Sequence, residues 1–324
     1  MIAHRLDAQL LTSPSARTPE AVVERLLAVQ AQDNRGARLA IRARSTGLTA
    51  ADVDSALARD RTLVVSWLNR GTLHLVRSED YFWLHALTAP QQATANARRL
   101  AQEGVSPDAA ERGVAVVERA LADDGPQTRA ALRDRLEAAG VPVEGQALIH
   151  VLAAAARRGT IVRGPMVGAQ QAWVLVRDWL GEPPRVDRDR ALGELGRRYL
   201  AGHGPADARD LARWAAITLT DARRALGAAR PPAAAQPPPP PPPKLLGAFE
   251  PLLLGWADRT PVTGSHTHLV TVNGVFRPFV LAGGRAAGAW RLERRRVEVE
   301  WFDGEQPVDV GAEAADVLRF LGLT

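Results

Sequence analysis

Apolar positions in the first third of the chain recur three or four residues apart and then give way to short β-branched runs, which sets the expected architecture. Val22, Leu26 and Val29 mark one face of a helix over residues 18 to 33, with Thr18 placed to cap it and Pro19 in its first turn. A second helical pattern covers residues 35 to 44. A third follows the Thr49 cap through Val53 and Leu57 to Arg59. Residues 62 to 68 (TLVVSWL) and 72 to 77 (TLHLVR) then read as two strands, and Asn69-Arg70-Gly71 between them supplies a hairpin turn. Three helices followed by a hairpin is the element order of a winged helix.

The pattern returns downstream. Thr128 is a cap after Gly125-Pro126, Leu132 and Leu136 share a helical face, and Gly140 is a C-terminal stop. A helix over residues 146 to 158 precedes two further strands, 160 to 163 and 172 to 176. Gly204-Pro205 precedes Asp207 as cap with Leu211 at the same offset as Leu132, and another helix begins near Thr220. Residues 230 to 243 are mostly proline and alanine, ending in the run Pro237 to Pro243, which predicts extended polyproline II. From Leu245 onward the text predicts strands at 268 to 272, 276 to 281, 287 to 292 and 296 to 302, then a closing helix over 309 to 321. The fold class expected is α+β: tandem winged-helix repeats with a β-rich C-terminal region. The divisions are 1–100, 101–185, 186–229, a proline-rich loop 230–244 and a C-terminal region 245–324.

Composition narrows the chemistry. The 324 residues suffice for two or three domains. With no cysteine, disulfides, thiolate metal sites and a cysteine nucleophile are excluded. The net charge is +5, and Lys244 is the only lysine, so arginine carries the positive charge. Guanidinium groups fork onto phosphates, whereas Schiff-base chemistry uses an amine. There is no apolar leader and no long apolar run, so the expectation is a soluble, cytoplasmic protein with no membrane role.

The segment Val29-Gln30-Ala31-Gln32-Asp33 is the most informative for function. At ~100° per residue, Gln30 falls in the apolar sector of its helix while Gln32 points away, so in a continuous helix the two amides cannot meet. They converge only if the backbone becomes extended near Gln30, because residues two apart share a face in strands. Spacing alone favours a packed Gln30 and a solvated Gln32. Asp33 reads as a cap or turn residue with a secondary reading as a base or electrostatic stabiliser. His266 and His268 would share a strand face, but no third ligand accompanies them and no metal is expected. The arginine clusters at 98–99, 157–158, 223–224 and 294–296 are either phosphate contacts or solvated faces.

Gln30-Ala31-Gln32, then Trp67-Leu68-Asn69-Arg70-Gly71-Thr72-Leu73-His74-Leu75-Val76, then Gly204-Pro205 leading to Trp214, then Leu245-Leu246 through Asp258-Arg259 occur in a recognisable order. The chain resembles the AlkZ/YcaQ-like winged-helix DNA glycosylases over almost its whole length. That resemblance implies a fold of three tandem winged helices with a β-rich C-terminal region, and a catalytic Gln-x-Gln signature at Gln30 and Gln32. It further implies double-stranded DNA as partner and a DNA contact at Arg70; Asn69 and Thr72 on the same hairpin are candidate DNA-binding residues and Asp33 and His74 candidate supporting groups, the other reading of the hairpin being an ordinary wing packed on its own helices. The implied activity is a monofunctional DNA glycosylase for alkylated purines, N7 or N3, bulky or crosslinked, acting as a monomer without cofactor. An alkylated purine is cationic and already a good leaving group, so amides that orient a water suffice. A lyase step would need an amine, from a lysine or the N-terminus, and Lys244 is the only lysine. The sequence departs from the family at Leu245-Leu246-Gly247-Ala248-Phe249-Glu250, where a Leu-Leu-Pro-x-Phe-Asp pattern is expected. The alternative function is a noncatalytic winged-helix DNA-binding regulator, in which both glutamines would be consumed in packing.

Overall fold

The helix expected over residues 18 to 33 stops seven residues early, and this break governs the candidate site. In the computed structural model, which describes residues 1–168, 170–229 and 238–324, α1 (Ile2–Ala8) precedes α2 (Pro19–Leu26), capped by the Thr18 hydroxyl accepting from Ala21 N–H. Leu27 then takes φ +65°, which no α-helix continues through, and Val29–Gln30 extend as β1. The reason is tertiary. The Glu24 carbonyl, orphaned by the helix end, accepts from Arg198, and Arg25 reaches the Ala201 carbonyl. Gly202 lies against the Arg25 carbonyl so closely that a Cβ there would sit 2.1 Å from its oxygen. Leu27 and Val29 are completely buried, so continuing the helix would forfeit their packing. Asp33 caps α3 (Asn34–Arg42), and α4 (Ala50–Ala58) follows.

The chain forms two compact units, residues 1–54 with 192–324, and residues 55–191. In the latter unit, β2 (Leu63–Trp67) and β3 (Leu73–Arg77) make the expected hairpin, in register from Leu63 with Arg77 to Trp67 with Leu73. Three helices not expected from the sequence follow the hairpin: α5 (Ser78–Thr88), α6 (Ala93–Gln102) and α7 (Pro107–Asp124). The expected pair then appears as α8 (Arg129–Ala138), capped by Thr128, and α9 (Ala147–Arg157). The next hairpin is β4 (Ile161–Val167) with β5 (Gln170–Leu175), followed by α10 (Val176–Leu180). The antiparallel order within this unit is β3-β2-β4-β5. Trp67 and Trp173 stack at 5.3 Å on the sheet face that packs against Leu121, Leu132 and Leu152, and the Arg163 guanidinium lies 3.8 Å over the Trp173 ring. Alternation puts Val64, Ser66, His74 and Val76 on the other face.

The remaining chain supplies α11 (Arg188–His203), α12 (Ala208–Ala215) with a complete Asp207/Asp210 capping box, and α13 (Leu219–Gly227). The alanine and proline segment 230–237 lies outside the described residues, and residues 238–243 have no regular secondary structure. Then come β6 (Lys244–Leu246), α14 (Pro251–Leu254), α15 (Thr260–Thr263), β7 (Phe279–Ala282), β8 (Arg285–Glu293), β9 (Arg296–Trp301) and α16 (Gly311–Phe320). Strands β6-β7-β8-β9 form an antiparallel sheet, so the β-rich expectation holds. The strand expected at 268 to 272 is instead a 3-10 turn, Thr267–Leu269, and a single bridge from Val270 to Phe276. Leu269 is buried there, which a turn satisfies as well as a strand. No helix among the described residues is long and apolar enough to cross a membrane.

Candidate active site

Gln30 and Gln32 meet. The chain leaves the helix after Leu26 and does not enter α3 until Asn34, and in the non-helical stretch between them the Gln30 Nε2 donates to the Gln32 Oε1. Gln30 is buried, 5% exposed, while Gln32 is exposed. The inner amide therefore contacts the outer one through its oxygen. Gln32 stands on the rim of an open pocket of 590 Å³, whose walls include Arg35, Gly36, Leu39, Ala248 and Trp290. Carboxamides neither gain nor lose protons near neutral pH, so the pair can donate and accept hydrogen bonds but cannot act as acid or base.

Asp33 spends its Oδ1 on the Gly36 N–H at the start of α3. That cap and the fit of Gly36 against Ala248 fix where the segment carrying Gln32 ends and the helix begins. A Cβ on Gly36 would come 2.3 Å from the Ala248 oxygen, and one on Gly247 would come 3.0 Å from Gly36 Cα. The Leu-Leu-Gly-Ala variation from the family pattern thus lies where two backbones touch. Its acidic residue, Glu250, is fully buried against the equally buried Arg44 and also accepts from Leu252 N–H.

The hairpin turn, Asn69–Gly71, is a tight 3-10 turn in which Arg70 (φ +55°) and Gly71 (φ +69°) are both left-handed. Arg70 is half-buried. Its Nη2 lies 3.4 Å from the Nε2 of His74, whose Nδ1–H donates to the Thr72 carbonyl at 3.0 Å. That donation fixes the tautomer and leaves the Nε2 lone pair facing the guanidinium. Burial, with the Arg70 charge adding to it, pushes His74 down to about 3, so the ring is neutral at working pH. Thr72 is half-buried and its hydroxyl donates to the Asn69 carbonyl. Asn69, expected as a DNA-binding residue, has its side chain fully buried beneath the turn. Neither of its amide atoms has a hydrogen-bond partner. The turn folds Asn69 inward because the left-handed step comes one residue later, at Arg70.

Other candidates are accounted for locally. Lys244 is buried and paired with Glu313 at 3.5 Å, and burial lowers its pKa. His266 contacts Glu305 at 3.1 Å and packs on Phe302, and among the described residues no group of three His, Asp or Glu could hold a metal. Arg158 pairs with Glu111 on the surface. Its neighbour Arg157 turns inward, donating to Asn96 Oδ1 at 2.9 Å and to the Gly71 carbonyl at 3.3 Å. In the sequence Arg157 is one of a basic pair, and nothing in the spacing links it to the hairpin.

A curated protein of Streptomyces sahachiroi, the "Interstrand DNA cross-link repair glycosylase", is 26% identical over 370 aligned positions covering 100% of this chain and 96% of that protein. The solved structure of the Streptomyces sahachiroi DNA glycosylase AlkZ superposes with a TM-score of 0.81 at 25% identity, covering 99% of this chain and 96% of that one. The model of the DNA glycosylase AlkZ-like family matches residues 23–320. That match runs from the helix before the glutamine pair to the end of the closing helix, and the chain therefore belongs to the AlkZ-like DNA glycosylase family.

Proposed function

We propose that this protein is a monofunctional glycosylase that hydrolyses the N-glycosidic bond of alkylated purines, N7 or N3, in duplex DNA, including bulky and crosslinked adducts. The observation that carries the reading is the paired amides, one buried and one exposed beside an open pocket. Alkylation makes the purine a cationic leaving group, so departure needs no proton from the enzyme. The remaining task is to hold a water at the anomeric carbon and to favour the oxocarbenium-like transition state, which uncharged, preorganised amides can do. Gln32, hydrogen-bonded to Gln30, is the group that touches this water. The Streptomyces relative's name supports crosslinked DNA as a substrate.

Hydrolysis without strand cleavage is favoured by the state of Lys244, whose amine is buried and ion-paired rather than available to form an imine. Arg70 and Thr72 are the hairpin's DNA contacts in this reading, since a guanidinium at a turn suits phosphate. The regulator alternative requires both glutamines to be consumed in packing, and the exposure of Gln32 counts against it. The test is release of free base from a duplex carrying N7-methylguanine, read beside borohydride trapping. Wild-type protein is expected to release base without a trapped adduct, and the Gln30→Ala, Gln32→Ala pair is expected to lose about 100-fold in rate. Equal release by both proteins overturns the site.

A further inference from the structure

The turn Asn69–Gly71 combines two left-handed residues, one of them an arginine, with a buried amide, and such a backbone persists only if its surroundings hold it. Within the same unit, the Arg157 side chain reaches its backbone from the end of α9. Arg157 forks, Nη1 to Asn96 Oδ1 at 2.9 Å and Nη2 to the Gly71 carbonyl at 3.3 Å. Asn96 is itself fixed, donating to the His150 carbonyl at 3.2 Å. Gly71 is favoured by its φ of +69°, and a Cβ there would be a tight contact, 3.0 Å from the Gln92 Oε1 and 3.1 Å from the Arg157 Nη2.

Arg157 is also an expensive residue to place here. Its acceptors are a neutral amide and a neutral carbonyl, its Nε has no partner, and burial lowers its pKa to about 10. Arg158, next along the chain, is exposed and pairs with Glu111. The two residues of this basic pair therefore do different work.

We propose that Arg157 is a positioning residue rather than a phosphate contact: its inward guanidinium grips the Gly71 carbonyl and so presents Arg70 to damaged DNA in one fixed orientation. The inference rests on the glycosylase reading for its consequence but not for its geometry. His74 completes the arrangement from the strand side, as a neutral acceptor facing Arg70.

The experiment compares Arg157→Met, Arg157→Lys and the control Arg158→Met with wild type. It uses single-turnover base release from an N7-methylguanine duplex at saturating enzyme, and duplex binding over a range of salt. Arg157→Met is expected to lower the saturating rate by about tenfold or more with an unchanged salt slope. Arg157→Lys, which keeps the charge but not the fork, is expected to recover part of that rate. Arg158→Met should keep the wild-type rate. An unchanged saturating rate with the salt slope reduced by about 0.9 would make Arg157 a phosphate contact and overturn the proposal. Unchanged rate and slope would overturn it equally. If Arg157→Met does not fold, Arg157→Lys carries the test, since a phosphate contact would survive that change and a fork would not. Hydrogen exchange at the Gly71 and Thr72 amides, bonded to the Leu68 and Asn69 carbonyls, reads the brace without activity. Faster exchange in Arg157→Lys is expected, and unchanged exchange refutes the brace. Absence of base release by wild type would refute the glycosylase reading while leaving this exchange test intact.

Discussion

Replacing Gly36 with alanine tests whether the contact between α3 and the Ala248 backbone sets the position of Gln32. The added methyl would lie 2.3 Å from the Ala248 oxygen and 3.1 Å from its carbonyl carbon, and both neighbours are backbone. An ordinary contact needs roughly 1 Å more, so α3 or the Gly247-Ala248 segment must retreat by about that much. Overpacking of this kind costs about 1 to 3 kcal/mol. Gln32 and its cap-bearing neighbour Asp33 lie immediately before the helix, so the same displacement should reach the exposed amide and lower base release by up to about 100-fold. Urea denaturation and single-turnover release from an N7-methylguanine duplex measure the two effects. Gly193→Ala is the control: the nearest atom to its Cβ is Ala228 Cβ at 3.9 Å, and within α11 the change should stabilise by about 0.5 to 1 kcal/mol. Unchanged stability and unchanged release in Gly36→Ala would refute the claim that this contact positions the site.

His74, held neutral by burial with a pKa of about 3, makes stability depend on pH. The unfolded ring takes up a proton near pH 6.5 and the folded ring does not, so this contribution is fully present above about pH 6.5. It is lost as pH falls toward 3, by up to roughly 5 kcal/mol. His74→Gln should flatten that dependence in denaturation midpoints taken at pH 7.5 and 4.5, and an equal slope in both proteins would contradict it. The buried Arg44 and Glu250 pair predicts that Glu250→Leu alone costs about 3 to 5 kcal/mol by stranding the guanidinium, with Arg44→Met added restoring much of the loss. A double variant no more stable than the single one would argue against that account.

Much of the fold was legible because its signals are local. Thr18, Thr128 and Asp207 each accept from the first turn of the helix they were expected to cap, and the strands on either side of Asn69-Arg70-Gly71 pair as their β-branched composition predicts. The glutamine pair was legible only as two alternatives. Periodicity carried the helix through residue 33, and the contacts that end it at Leu26 come from Arg198 and Gly202, which no window around residue 26 contains. The strand misread at 268 to 272 has the same origin. Burial of Leu269 left a mark in the sequence that a turn and a strand share.

Residue types and their order established the chemistry available to this protein: amides and guanidinium groups in place of thiols and amines, with a resemblance that pointed to two glutamines. Tertiary structure decided what each could reach. It brought the Gln30 and Gln32 amides together by breaking a helix, turned Asn69 and Arg157 inward, and kept His74 neutral. The physical reason is that caps, turns and pairing depend on neighbours in the chain. Helix termination against a distant carbonyl, burial, and the loss of solvent that shifts a pKa depend on neighbours in space.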